Sequence, residues 1–182
     1  MRLFTALWPP APAVAALAAQ TAQAPPGGSP AGTGSSAVPR GWQAVAPAAW
    51  HITLAFHGEA DPGVLARRLD AAARGAPAPR LRLRGAGAAP GVRWVGVQAE
   101  PEEELTALVE AAGGDVVRFV PHVTVIRMRR RPGPGADLDP HLPWSDHRGP
   151  WWHPPEVLLV SSEPARGGAR YRVVHRVQLR RP

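Results

Sequence analysis

The sequence predicts a mixed helix-and-strand fold made of two related halves that face a common cleft, and three observations predict it. A strand, a helix and a second strand occur in the same order twice, first over residues 3–56 and again over residues 92–127. Each second strand opens with a His and a Thr two positions apart: His51-Ile52-Thr53-Leu54 in one half and His122-Val123-Thr124-Val125 in the other. The last segment, residues 170–178, alternates Tyr171, Val173, His175 and Val177 with Arg172, Val174, Arg176 and Gln178, as an antiparallel strand with one wet face would. Together they indicate an internal duplication with a pseudo-twofold axis through a central cleft.

Taken in order, Leu3 to Trp8 forms a buried strand stopped by Pro9 and Pro10, and an Ala-rich helix runs from about Pro12 to Ala24. The prolines also break the apolar run that an export signal would need, so residues 2–8 are expected in the core. Residues 25–40 are Gly, Ser and Pro with few large apolar side chains, which predicts a flexible loop inside a single domain spanning residues 1–182. The His51 strand closes at Gly58. Asp61 then supplies an N-cap, with Pro62 in the first turn and Val64, Leu65, Leu69 and Ala72 as the apolar stripe of a helix ending at Gly75. Leu81 and Leu83 alternate with Arg80, Arg82 and Arg84 in a half-exposed strand, and residues 92–97 form a more buried one. Glu102, Glu103 and Glu104 favour the first turn of a helix that ends at Gly113-Gly114, ahead of the His122 strand. A Pro, Gly and Trp-rich connection leads to two closing strands, residues 157–161 and 170–178.

Composition removes several chemistries. Cysteine is absent, which excludes disulfides, thiolate metal sites and a Cys nucleophile. All 21 basic residues are arginines, so there is no amine for a Walker A loop, a Schiff base or a nucleotidyl-lysine intermediate. The net charge of +7 suits a polyanion such as RNA, although the abundance of Ala, Gly, Pro and Arg also marks a genome-wide bias. No stretch approaches the ~20 apolar residues that span a bilayer. A cytoplasmic monomer without cofactor or metal is expected.

In a strand, His51 and Thr53 share one face while Ile52, Leu54 and Phe56 share the other, and His122 and Thr124 repeat the pattern. Two imidazoles converging on one phosphorus provide a base for the attacking oxygen and an acid for the leaving oxygen. Thr53 and Thr124 are placed to donate to non-bridging oxygens. Strict alternation puts Arg127 opposite His122 and Thr124, so it reaches the cleft only if the strand ends or bulges there. His57 is expected at the cleft rim or in solvent. His141, His147 and His153 lie in a loop that rarely fixes metal geometry. Trp144, Trp151 and Trp152 either cover the core or stack on bases, and Arg129, Arg130 and Arg131 either track a phosphate backbone or end a solvated strand.

The paired His-x-Thr-hydrophobic motifs resemble those of the 2H phosphoesterase superfamily. More narrowly, the chain is similar to bacterial and archaeal RNA 2′,3′-cyclic phosphodiesterases, also called 2′-5′ RNA ligases. That similarity rests on Arg2-Leu3-Phe4, the stretch from His51 to Glu59, Phe119-x-Pro121-His122, Arg127, Ser161-Ser162 and residues 165–171. The resemblance implies an α+β fold of two pseudo-symmetric lobes, each an antiparallel sheet with outer helices, around the cleft. It implies metal-independent opening of an RNA terminal 2′,3′-cyclic phosphate to a 2′-phosphate, with His51 as proton donor, His122 as acceptor, and substrate contacts from Arg127 and Phe56. It also implies reversible joining of a cyclic phosphate to a 5′-hydroxyl without ATP. Alternatives are a non-catalytic RNA or nucleotide-binding module on the same scaffold, or a phosphodiesterase of small cyclic nucleotides or 2′-5′ oligonucleotides.

Overall fold

Two groups of strands meet in one eight-stranded sheet, and among the described residues a single register pair, Ile52 opposite Val123, joins them directly. The computed structural model describes residues 2–22, 41–128, 142, 144–165 and 168–182. One half holds β1 (Arg2–Leu7), β3 (Ile52–Glu59), β7 (Glu156–Ala165) and β8 (Gly168–Gln178); the other holds β4 (Arg80–Ala89), β5 (Val92–Glu100) and β6 (His122–Met128). Their order is β4-β5-β6-β3-β1-β7-β8, and every pairing between them is antiparallel. Beyond the Ile52 and Val123 pair the two central strands diverge, and the short β2 (Trp42–Ala44) takes over the freed edge of β6. The order is symmetric about that join: β3 and β1 on one side correspond to β6 and β5 on the other, linked by α1 (Ala11–Ala22) and α3 (Glu102–Ala111). The expected lobes are therefore halves of one continuous sheet.

The helices cover one face. Ala13 and Leu17 of α1, Leu69 and Ala73 of α2 (Pro62–Ala73), and Leu105, Leu108 and Val109 of α3 share a core with Leu3, Leu7, Ile52, Val95, Val123 and Leu159. The Asp61 cap forms as its sequence indicates, its Oδ1 accepting from the Val64 amide at 2.8 Å. The buried stripe of α2 runs through Leu69 and Ala73, with Leu65 packed beside them; Val64 is exposed. A second, smaller cluster of Phe4, Ala6, Leu158 and Val160 lies on the other face, with Trp8, Tyr171 and Val173 against it.

The regular alternation expected of residues 170–178 does not hold. Val160 pairs with Val173 but Leu159 pairs with His175, so Val174 is an extra residue and the strand changes phase there. Tyr171 and Val173 consequently join the smaller cluster, whereas Val177 joins the helix-side core and His175 meets Asp70 of α2 at 3.0 Å. Trp144 and Trp152 are core residues. The expectations for residues 25–40, Arg129 to Arg131 and His141 lie outside the described residues.

Ile52 is completely buried at the join, as is Val123 opposite it. Ile52→Ala is expected to lower the unfolding free energy by about 2–5 kcal/mol in urea titrations. A loss below about 1 kcal/mol would show that the two halves do not depend on this contact.

Candidate active site

His51 immediately precedes β3 and His122 opens β6, so the central pair of strands delivers both histidines to the same place. They line one cleft of about 940 Å³ together with Thr53, Thr124, Phe56 and Arg127. Three arginines, Arg2, Arg118 and Arg127, and one carboxylate, Asp115, are among the described lining residues, leaving a cationic excess suited to a phosphate.

The two rings are held alike. His51 Nδ1 donates to the carbonyl of Ala49 at 2.7 Å, and His122 Nδ1 donates to the carbonyl of Val120 at 2.7 Å. A carbonyl oxygen can only accept, so the proton of each neutral imidazole sits on Nδ1 and Nε2 is left to exchange protons. In both halves the anchor is the carbonyl two residues before the histidine.

A second shared device follows each threonine. In β3, Ala6 pairs with Thr53 and Thr5 with Ala55, so Leu54 is an extra, buried residue. In β6, Trp94 pairs with Thr124 and Arg93 with Ile126, so Val125 is extra and buried. Each bulge falls on the fourth motif position and shifts the side-chain phase by one. This corrects the face expected of Phe56 and supplies the bulge on which the expectation for Arg127 depended. Phe56 does not share a face with Ile52 but lines the cleft, 81% exposed, and Arg127 lines it too. The guanidinium of Arg127 reaches β8 in the other half, where a side chain on Gly168 would come within 2.9 Å of Nη2. Close packing supports the first bulge as well: a Cβ on Gly114 would fall 2.3 Å from the Leu54 carbonyl oxygen.

The surroundings of the histidines differ. His51 stacks on Trp8 with centroids 5.3 Å apart and touches Phe4 at 4.9 Å and Tyr171 at 5.1 Å. His122 meets Trp94 at 5.1 Å. These aromatic walls are absent from the motif-based reading; the signal for Trp94 is its place among Val92, Gly96 and Gln98, opposite Arg93, Val95 and Val97. Its indole lies over Gly87, where a Cβ would approach Nε1 to 2.3 Å, so glycine is required there.

His57 is not at the cleft rim. Its Nε2 is 2.8 Å from Oγ1 of the buried Thr5, and it does not line the cleft. His147 is buried with Nδ1 2.6 Å from Gln20 Oε1, and His153 Nδ1 donates to the Ala78 carbonyl at 2.9 Å. Among the described residues, no group of three His, Cys, Asp or Glu side chains could hold a metal, and no helix is long and apolar enough to cross a membrane.

Burial pushes the His51 pKa below its ordinary value; the bond to Ala49 opposes this, and the charges of His122 and Arg127 lower it further. A positive neighbour disfavours imidazolium, so removing it raises the pKa. NMR titration of the ring should place the His51 midpoint below that of an exposed histidine and move it upward in Arg127→Gln. An unmoved midpoint would separate Arg127 from His51.

Comparison with known proteins agrees with this fold. A family model described as LigT like Phosphoesterase matches residues 33–97. The solved structure of TT0787 of Thermus thermophilus is 32% identical with a TM-score of 0.62, covering 99% of this chain and 98% of that one. E. coli LigT complexed with phosphate is 25% identical with a TM-score of 0.69, covering 98% and 97%. E. coli LigT complexed with 3′-AMP is 26% identical at the same TM-score, covering 98% and 96%. No curated protein matches the chain. With two histidines and two threonines brought to one cleft by symmetric strands, the chain belongs to the LigT-like phosphoesterases of the 2H phosphoesterase superfamily.

Proposed function

We propose that the protein opens the terminal 2′,3′-cyclic phosphate of RNA to a 2′-phosphate without a metal ion, by two-histidine acid-base catalysis. The observation that carries this reading is the lining of one cleft by both His-x-Thr pairs, each histidine with Nδ1 committed to a carbonyl and Nε2 left for proton exchange. His122 Nε2 takes a proton from water as the water oxygen bonds to phosphorus. The bond from phosphorus to the 3′-oxygen breaks, and His51 Nε2–H protonates that oxygen. The charge gathering on the non-bridging oxygens is met by Arg127 and the hydroxyls of Thr53 and Thr124. Phe56 offers an exposed ring for a base. E. coli LigT has been solved with phosphate and with 3′-AMP, which supports a phosphate-bearing ligand here. With a 5′-hydroxyl in place of water as the nucleophile, the same steps join it to the cyclic phosphate through a 2′-5′ linkage, the 3′-oxygen again leaving.

The donor role asks His51 to be protonated at the start, against its lowered pKa. The substrate supplies the remedy, since a phosphodiester anion beside His51 stabilises the imidazolium. Protonation and binding are thereby linked.

Incubation with an RNA ending in a 2′,3′-cyclic phosphate, with chelator present, should give a 2′-phosphate terminus. His51→Ala and His122→Ala should each lower kcat by about 10²–10⁴-fold while leaving the melting temperature near that of the parent. A 3′-phosphate product would exchange the leaving oxygen. Near-normal turnover in both variants would remove the acid-base assignment, and no product from the parent protein would leave a nucleotide-binding module.

A further inference from the structure

We propose that the sheet face beside the cleft carries a track for single-stranded RNA, formed by Arg80, Arg82, Arg84 and Arg148 around Trp151. The RNA-binding claim stands on this surface; that the bound nucleotides lie 5′ of the reacting end rests on the function proposed above.

The strip continues the face that carries His122. Gly96 pairs with His122, and Gln98 lies two residues further along β5 on the same side as Trp94. Gln98 pairs with Arg82 on β4, and its Oε1 accepts from Arg82 Nε at 2.8 Å and from Arg84 Nη1 at 3.0 Å. Two interstrand steps and two residues of rise put Arg82 roughly 12 Å from His122. Gly96 and Gly87 add no side chain to the floor between them beyond the Trp94 indole.

Arg80 and Arg82 are braced against Trp151, and Arg84 against Gln98, while Arg80, Arg84 and Arg148 stay exposed. The Arg80 and Arg82 guanidinium carbons each lie 4.4 Å from the centroid of the Trp151 ring. A guanidinium stacked by its flat face keeps its edge N–H groups for phosphate oxygens. Desolvation, then the charges of Arg148 and Arg84, disfavour charge on Arg82, so these cations crowd one another. Glu100 pairs with Arg80 at 3.3 Å, and Glu104 lines a shallow pocket with both. An edge strand can use charge to block pairing with another chain. Here that need is already met, because residues 148–152 bridge to Arg84 and Leu81 along the edge of β4. Like charges gathered on one side of an already covered edge are instead complementary to a polyanion.

The test is fluorescence anisotropy with a ten-nucleotide single-stranded RNA carrying an unreactive 3′-phosphate, measured across a salt series. The parent protein should bind with a steep salt dependence. Arg80→Gln/Arg82→Gln/Arg84→Gln should weaken binding at least about tenfold at low salt and make the slope shallower by about 2, at roughly 0.7 per phosphate contact. Its melting curve checks folding, and Arg84→Gln alone, at an exposed position, should make the slope shallower by about 0.7. No RNA binding by the parent, unchanged binding by both variants, or equal binding of a polyglutamate peptide would overturn the track. Opening of a 2′,3′-cyclic mononucleotide by the parent is scored separately. Arginine-dependent RNA binding without that activity would keep the track and remove the proposed reaction, and the converse pair of results would do the reverse.

Discussion

A β-strand presents its side chains with a period of two, and a residue three places after another must point to the opposite face unless the strand gains a residue. Both central strands gain one at the equivalent position, Leu54 in β3 and Val125 in β6. Because of this, the third and sixth positions of each motif face the cleft together: Thr53 with Phe56, and Thr124 with Arg127. An unbulged pair would carry the histidines and threonines correctly while turning Phe56 and Arg127 toward the helices. Both extra residues are buried; the Val125 carbonyl accepts from the Val45 amide at 2.8 Å, and Gly114 packs on the Leu54 carbonyl where no larger residue fits. The apolar fourth position thus fastens the bulge into the core.

Symmetry of backbone then supports asymmetry of chemistry. The sixth position is an aromatic ring in one half and a guanidinium in the other, giving one wall suited to a base and one to a phosphate. The smaller cluster beneath β1, β7 and β8 brings Phe4, Trp8 and Tyr171 around His51 and withdraws it from water. Arg127, reaching from β6 to the start of β8, links the halves at the point where their strands have separated. The cleft exists because β3 and β6 share one register pair and then diverge, so its width and the position of its charges have a common origin.

Much of this arrangement is legible in the residues. The repeated His-x-Thr places both imidazoles, the Asp61 and Pro62 start locates α2, and the twice-repeated strand, helix and strand anticipates the symmetric sheet order. Phase is less accessible, because a bulge depends on the partner strand: nothing within residues 51–56 alone distinguishes a regular strand from one with Leu54 inserted. The same cause misplaces Phe56 and leads to the expectation of one continuous face in β8. His57 illustrates a different limit, since its partner Thr5 lies 52 residues away in sequence and offers no local signal. The aromatic enclosure of His51 likewise draws on β1, the turn after it and β8, which only the fold brings together.

Two-histidine catalysis requires His51 and His122 to act on one bound phosphate from one cleft. Protein labelled with ¹⁵N-histidine and titrated with a nucleoside 2′-monophosphate would report on both rings at once. Nε2 of both histidines is expected to shift along a single saturation curve, with the Nδ1–H form retained by each neutral ring. Shifts confined to one histidine, or two curves with different dissociation constants, would contradict a shared phosphate.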